Sequence, residues 1–234
     1  MNNKRTIVYV AQPDSEQSNS FQFLVQSGQA LTDVCYVDLA KEYQGNEGFN
    51  CEQEWQRLVS YERIIFQFPL YWYQAPAILK QWLDVVFGYE LPQQAKKQLA
   101  NKELGIVVIA GVKESEYQIG GREGVTISDL VAPYYALARH FKMVPLKFYA
   151  IHQFHYLSEI QKMQLMLTYA TYLATGTVGQ FPAFQAFVQD RLAQLTPQQL
   201  PLDSVQQLVF EQFQQDLEVR QQELSELQQL VQKW

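Results

Sequence analysis

Arg63-Ile-Ile-Phe-Gln-Phe68, Pro69-Leu-Tyr-Trp-Tyr-Gln-Ala-Pro76 and Ala77-Ile-Leu-Lys-Gln-Trp-Leu-Asp-Val-Val-Phe87 follow one another without a gap. The first piece is a near-continuous apolar run, which predicts a strand covered on both faces. Pro69 has no N–H to give a ladder and is expected to end that strand. The third piece sets Ile78, Leu79, Trp82, Leu83 and Val86 on one helical face. Pro76 stands at the first turn of this helix, where a missing N–H is no loss. Between strand and helix lie three adjacent aromatics, Tyr71, Trp72 and Tyr73, which are costly to expose and call for a flat apolar partner or a core.

The same strand–helix unit recurs along the chain. Thr6–Ala11, Asp33–Leu39, Leu104–Ala110 and Val144–Ile151 read as further strands, and Leu104–Ala110 is the most apolar of them. Helices are expected from Ser18 or Ser20, over Glu52–Ser60, over Asp129–Phe141, and from Ser158 to about Ala174. Lys41–Asn50, with Gly45 and Gly48, reads as loop. This alternation predicts an α/β three-layer sandwich, a flavodoxin-like five-stranded parallel sheet of order 2-1-3-4-5 with right-handed crossovers. Ligands of such sheets bind beyond the carboxyl ends of the strands at the switch point between strands 1 and 3. A site is therefore expected just after Ala11, Phe68 and Ala110.

Residues 1–176 are expected to form this domain and 177–234 a helical C-terminal extension. Gln supplies 16 of those last 58 residues, yet an apolar stripe persists, so composition alone does not argue for disorder. Thr196-Pro-Gln-Gln199 reads as a capping box, and Asp203 begins a long helix. Phe210, Phe213, Leu217, Leu224, Leu227, Val231 and Trp234 fall at heptad spacing, broken only by Arg220. The stripe is expected to pack on the domain or a second subunit, with a docking helix for another protein as the alternative.

Charge and composition remove several classes of function. The net charge is −6 and no basic run occurs, which argues against nucleic acid. Cys35 and Cys51 are isolated from any zinc-ligand spacing; whether they pair is open in the sequence. The apolar stretch Ile7–Ala11 is too short for a secretion signal, and no run approaches the ~20 apolar residues of a membrane span. A cytoplasmic protein is expected.

Two segments carry candidate chemistry. Gln12–Phe21 places Ser15, Ser18, Asn19 and Ser20 at a helix N-terminus, where free N–H groups and the dipole favour a phosphate or serve ordinary capping. It is neither a Walker loop nor a GxGxxG turn. The second segment is Phe68–Pro76, whose aromatics suit a planar heterocycle.

The run from Pro69 to Phe87 resembles the signature of the flavodoxin-like NAD(P)H:quinone oxidoreductases. That group includes DT-diaphorase, the modulator of drug activity and the ancillary flavoproteins of glutathione-gated potassium efflux. Pro69, Trp72, Tyr73, Pro76, Leu79, Lys80, Trp82, Leu83, Asp84, Val86 and Phe87 match. The resemblance extends from Ile7 to about Ala174. It implies flavin contacts from Pro69, Leu70, Tyr71, Trp72 and Tyr73, and phosphate contacts from Ser18, Ser20 and Phe21. It also implies that Ile109–Val112, Gly111 included, and Tyr117 lie against the polar edge of the ring. FMN is the implied cofactor (FAD the alternative), NAD(P)H the donor and a quinone-like molecule the acceptor, in a homodimer.

Three departures bear on that implication. Gln12 stands where the family usually has His, so a cationic phosphate contact becomes an amide donor. The family's hydroxyl-bearing turn after strand 4 reads Ile109-Ala-Gly-Val112. Arg122 replaces a His beyond Tyr117; it can compensate negative charge but cannot relay a proton at neutral pH. Tyr117 is expected to hydrogen-bond near the acceptor and Arg122 to balance charge. The rival expectation is a catalytically degenerate regulatory or binding protein of the same fold, such as an ancillary subunit of a potassium efflux system. His152 and His155, after strand 5, lie at the edge of the expected site.

Overall fold

The computed structural model describes residues 4–45, 48–88, 91, 93–195 and 203–231. Strands β1 (Thr6–Val10), β2 (Val34–Asp38), β3 (Arg63–Pro69) and β4 (Glu103–Ala110) run parallel, and the sheet has the expected order 2-1-3-4-5. β1, β3 and β4 are buried at almost every position, as strands covered on both faces must be. Pro69 is still in register with Ile109, so the strand closes on the proline and not before it. The next residue, Leu70, gives its N–H to the Ile109 carbonyl at 2.9 Å.

The fifth lane is interrupted, which corrects the expected unbroken strand from Val144 to Ile151. β5 (Val144–Pro145) pairs with Glu103 and Leu104, and β6 (Tyr149–His152) with Val107 to Ala110. From Pro145 to Tyr149 the edge advances four residues while β4 advances three, from Leu104 to Val107. One extra residue therefore bulges out, beside a proline that has no N–H to pair.

One face of the sheet is covered by α3 (Cys51–Val59), α4 (Ala77–Val86), α5 (Ala95–Leu99) and α6 (Ile127–His140). Leu58, Trp82, Leu99 and Val131 meet Ile7, Tyr9, Phe66 and Val108 in this core. Full burial of side chains of this size contributes about 1.5–3 kcal/mol each. Glu54 is buried here, accepting from Trp82 Nε1 at 3.0 Å and Arg57 Nη1 at 2.7 Å. Burial pushes its carboxyl up while Trp82 and Arg57 pull it down, so its hydrogen bonds are structural ones between α3 and α4.

The other face carries α1 (Asn19–Gln29) and α7 (Glu159–Thr175), which pack together. Tyr169 of α7 donates to Gln67 Oε1 of β3 at 2.6 Å and shares a 3.1 Å bond with Tyr36. Side-chain caps open four of these helices: Ser18 for α1, Asn50 for α3, Thr126 for α6 and Ser158 for α7. α2 (Leu39–Gly45) corrects the expected loop over its first residues. Asp38 Oδ1 accepts from the N–H groups of Ala40 and Lys41, and Leu39 is fully buried, so capping and burial outweigh the cost of Gly45.

The chain divides into two compact units, 1–179 and 180–234. The second contains α8 (Phe181–Gln194) and α9 (Ser204–Val231), tied by Gln214 Nε2 to the Leu192 carbonyl at 2.7 Å. Asp203 Oδ1 caps α9 by accepting from Val205 and Gln206. The expected capping box at Thr196 and the last heptad position, Trp234, lie outside the described residues. Neither cysteine is part of a disulfide. Among the described residues no helix is long and apolar enough to cross a membrane.

Candidate functional site

The chain leaves β1, turns outward to β2, and returns across β1 to β3, so the switch point lies where it was expected. Four exits meet at this edge: those after Val10, Pro69, Ala110 and His152.

After β1, Ser15 to Gln17 form one short 3-10 turn and Ser18 caps α1. Ser18 Oγ accepts from Phe21 N at 3.3 Å and lies 3.2 Å from Ser20 Oγ. The Phe21 N–H is thus held by the cap, while both hydroxyls stay paired to each other at the positive end of α1. Ser15 and Ser20 are buried. Gln12 is buried too, and donates one amide N–H to Tyr71 Oη at 3.3 Å, joining the first exit to the second.

After β3 the chain makes a two-residue turn. Tyr71 N donates to Gln74 O at 2.9 Å, and Gln74 N to Tyr71 O at 3.1 Å. The two central residues, Trp72 and Tyr73, have φ of 49° and 66°. Such turns favour Asn-Gly, because bulky L-residues with positive φ cost about 1–3 kcal/mol each. The strain is not repaid by burial, since Trp72 is 92% exposed. Tyr73 Oη donates to Glu123 Oε2 at 2.9 Å, linking this turn to the segment after β4.

After β4, the N–H groups of Gly111, Val112 and Lys113 meet no acceptor among the described residues. A Cβ on Gly111 would point into open space. The neighbouring carbonyls are held from β6: Gln153 N donates to Ala110 O at 2.8 Å, and His152 Nδ1 bonds Val112 O at 2.9 Å. A carbonyl only accepts, so Nδ1 carries the hydrogen of this bond. The His152 ring lies 6.0 Å from that of Tyr117. Burial, and then the Glu123 carboxylate, push the Tyr117 hydroxyl up, so it stays protonated at neutral pH.

Arg122 is exposed, and its guanidinium donates to Glu123 Oε1 at 2.7 and 2.9 Å. The Arg122 and Tyr73 donors hold the Glu123 carboxyl below its usual range. The charge expected to face a ligand is thus already paired. Glu123, Gln153 and the His152 contact were not legible as a set; the one signal was His152 at the end of a predicted strand.

The donor set fits a flat heterocycle carrying a phosphate: an aromatic turn, a row of unclaimed N–H groups, and paired serines at a helix start. The 12–21 loop holds no Arg, Lys or His, so hydroxyls and amides would have to take the phosphate.

Comparison with known proteins agrees with this geometry. A family model described as flavodoxin-like fold matches residues 4–174. YrkL of Bacillus subtilis, named an uncharacterized NAD(P)H oxidoreductase, is 38% identical over 141 residues, 59% of this chain and 80% of its own. KefG of Yersinia pestis, a glutathione-regulated potassium-efflux system ancillary protein, is 31% identical over 131 residues, 56% of this chain and 71% of its own. A crystal structure of an NADPH-quinone reductase from P. pentosaceus superposes with a TM-score of 0.66 at 36% identity, covering 73% of this chain and 98% of that one. The sheet order, the crevice at its switch point and a match over residues 4–174 lead to one assignment: the chain belongs to the flavodoxin-like fold family.

Proposed function

We propose that the crevice binds a flavin, FMN in preference to FAD, and that the chain is an NAD(P)H-dependent oxidoreductase of quinone-like acceptors. When bound, the flavin accepts hydride from the nicotinamide and passes two electrons on. The observation that carries this reading is the turn at Trp72 and Tyr73, where strain and an exposed tryptophan are kept together with no burial of that tryptophan in return. Pro69 to Tyr73 form the wall against the ring. The N–H groups of Gly111 to Lys113 serve its polar edge, preorganised by the β6 contacts. Ser18, Ser20, the Phe21 segment and the second N–H of Gln12 take the phosphate. Tyr117 donates its hydroxyl hydrogen to the oxygen of the acceptor. Arg122 acts on charge only by giving up Glu123.

The preference for FMN rests on the cavity beside the first exit, about 230 Å³, lined by Asp14, Glu16, Lys41 and Gln44 among others. Lys41 there pairs with Glu16 at 3.2 Å. A second phosphate and an adenosine would meet uncompensated carboxylate at Asp14. Residues 1–176 are taken as the flavin domain and 177–234 as its extension. A second copy is assigned to the apolar groove of about 670 Å³ between α4 and α6, lined by Ala75, Ala77, Leu83, Phe87, Tyr134 and Leu137. Ala77→Arg, on its exposed wall, is expected to halve the mass measured by sedimentation equilibrium.

The test is direct. The purified chain, with FMN added, is expected to show oxidised-flavin absorption at one flavin per chain. NADH or NADPH should bleach it and menadione restore it. A protein that refuses FMN sinks the reading. One observation favours a second function: Val205, Leu208, Val209, Phe213, Val219, Leu227 and Leu230 of α9 are exposed, as a docking helix for another protein would be. If deletion of 203–234 leaves FMN binding, folding and oligomeric state intact, the tail is free for such a partner.

A further inference from the structure

We propose that His152 is the positioning residue of the flavin site, holding the row of N–H donors after β4 in place from the neighbouring lane. The proposal rests on the flavin reading given above. Ile109 and Val112 carry no hydroxyl that could brace the exit of β4 from within. Gly111 leaves the turn with full backbone freedom, and its missing Cβ touches nothing that would limit it. The bracing comes instead from two successive residues of the edge. Gln153, in a left-handed conformation with φ of 49°, fixes the Ala110 carbonyl through its backbone. His152 fixes the Val112 carbonyl through Nδ1 at 2.9 Å. With the carbonyls on both sides of Gly111 tied back to β6, the N–H groups of Gly111, Val112 and Lys113 are left to face a ligand.

The same ring lies 6.0 Å from Tyr117 at a 50° tilt, so one side chain supports both the donor row and the hydroxyl beside it. His152 is also in register with Ala110, the last residue of β4, so its backbone cannot drift away from the turn it holds. Arg122 has no such link: its guanidinium is exposed and bound to its own neighbour, Glu123. The bulge between β5 and β6 sets which residue of the edge chain stands opposite Ala110. Without the extra residue the register would shift by one, and His152 would point to the other face of the sheet.

The test compares two substitutions in the full chain, with FMN affinity read by quenching of flavin fluorescence. His152→Asn keeps an amide donor close to the place of Nδ1, whereas His152→Leu keeps bulk and loses the donor. His152→Leu is expected to raise the Kd for FMN about tenfold, the effect of one lost hydrogen bond in a preorganised site. His152→Asn should bind within about threefold of wild type. Should His152→Leu fail to fold, His152→Gln replaces it, since its donor lies one carbon too far along. Leucine binding like wild type overturns the proposal, as does asparagine binding no better than leucine. Wild type refusing FMN overturns the functional reading and this proposal together, and so is told apart from the other failures.

Discussion

Arg63→Met is expected to cost about 3–5 kcal/mol of stability, the usual effect of breaking a buried ion pair from one side. The Arg63 side chain is 2% exposed. Its Nε meets Glu103 Oε2 at 2.6 Å, and Nη1 donates to the Leu173 carbonyl at 2.5 Å. The first contact ties β3 to β4 at the start of the sheet; the second satisfies an end carbonyl of α7, which no helical N–H reaches. Lys4 also pairs with Glu103, but is itself half-exposed and gives less in return. A lowered urea midpoint at unchanged slope would register the loss as stability alone. The double substitution Arg63→Met with Glu103→Leu should recover part of it, because two apolar groups need no partner. A single substitution costing under about 1 kcal/mol would show that the pair contributes little beyond its own desolvation. All of this lies at the amino ends of the strands, away from the crevice, so FMN binding should survive wherever the fold does.

That separation explains what was legible in the sequence. Buried strands such as Leu104–Ala110 and the helix from Pro76 announce themselves by period and by uninterrupted apolar runs, and the sheet order follows from connection rules. The aromatic turn was legible because three such residues in a row are costly without a partner. Contacts between distant exits carry no periodic signal. Tyr73 and Glu123 are 50 residues apart, and His152 and Val112 are 40 apart. Nothing in local spacing distinguishes Arg122 facing a ligand from Arg122 facing Glu123, since both need only an exposed loop. The break in the fifth lane was missed for a related reason. Apart from Pro145, Val144–Ile151 has strand composition, and only register against β4 reveals the extra residue. Gly45 and Gly48 argue for a loop at Lys41–Asn50, whereas the cap from Asp38 starts a helix there.

Replacing Trp72 by Asn together with Tyr73 by Gly should make the protein more stable and leave it unable to hold flavin. Both residues sit at positive φ, and Asn-Gly is the pair that such a turn favours. Removing two strained positions returns about 1–3 kcal/mol in total once the greater freedom of glycine in the unfolded chain is set against it. Little is lost on the other side, because Trp72 is almost fully exposed and the Tyr73 bond to Glu123 lies at the surface. Ordinary loops do not retain a cost of this size, and on the proposed function the physical reason to retain it here is an aromatic wall for the flavin. Stacking of one base-sized ring on an aromatic side chain is worth about 1–3 kcal/mol, so losing both rings should weaken FMN by about a hundredfold or more. Thermal melting of the FMN-free protein and flavin titration, run on the same samples, give the two signs independently. A variant that melts lower and still turns yellow would mean that the turn serves the fold and that the ring is held elsewhere. Higher melting with no flavin uptake would show that the strain is maintained for the ligand.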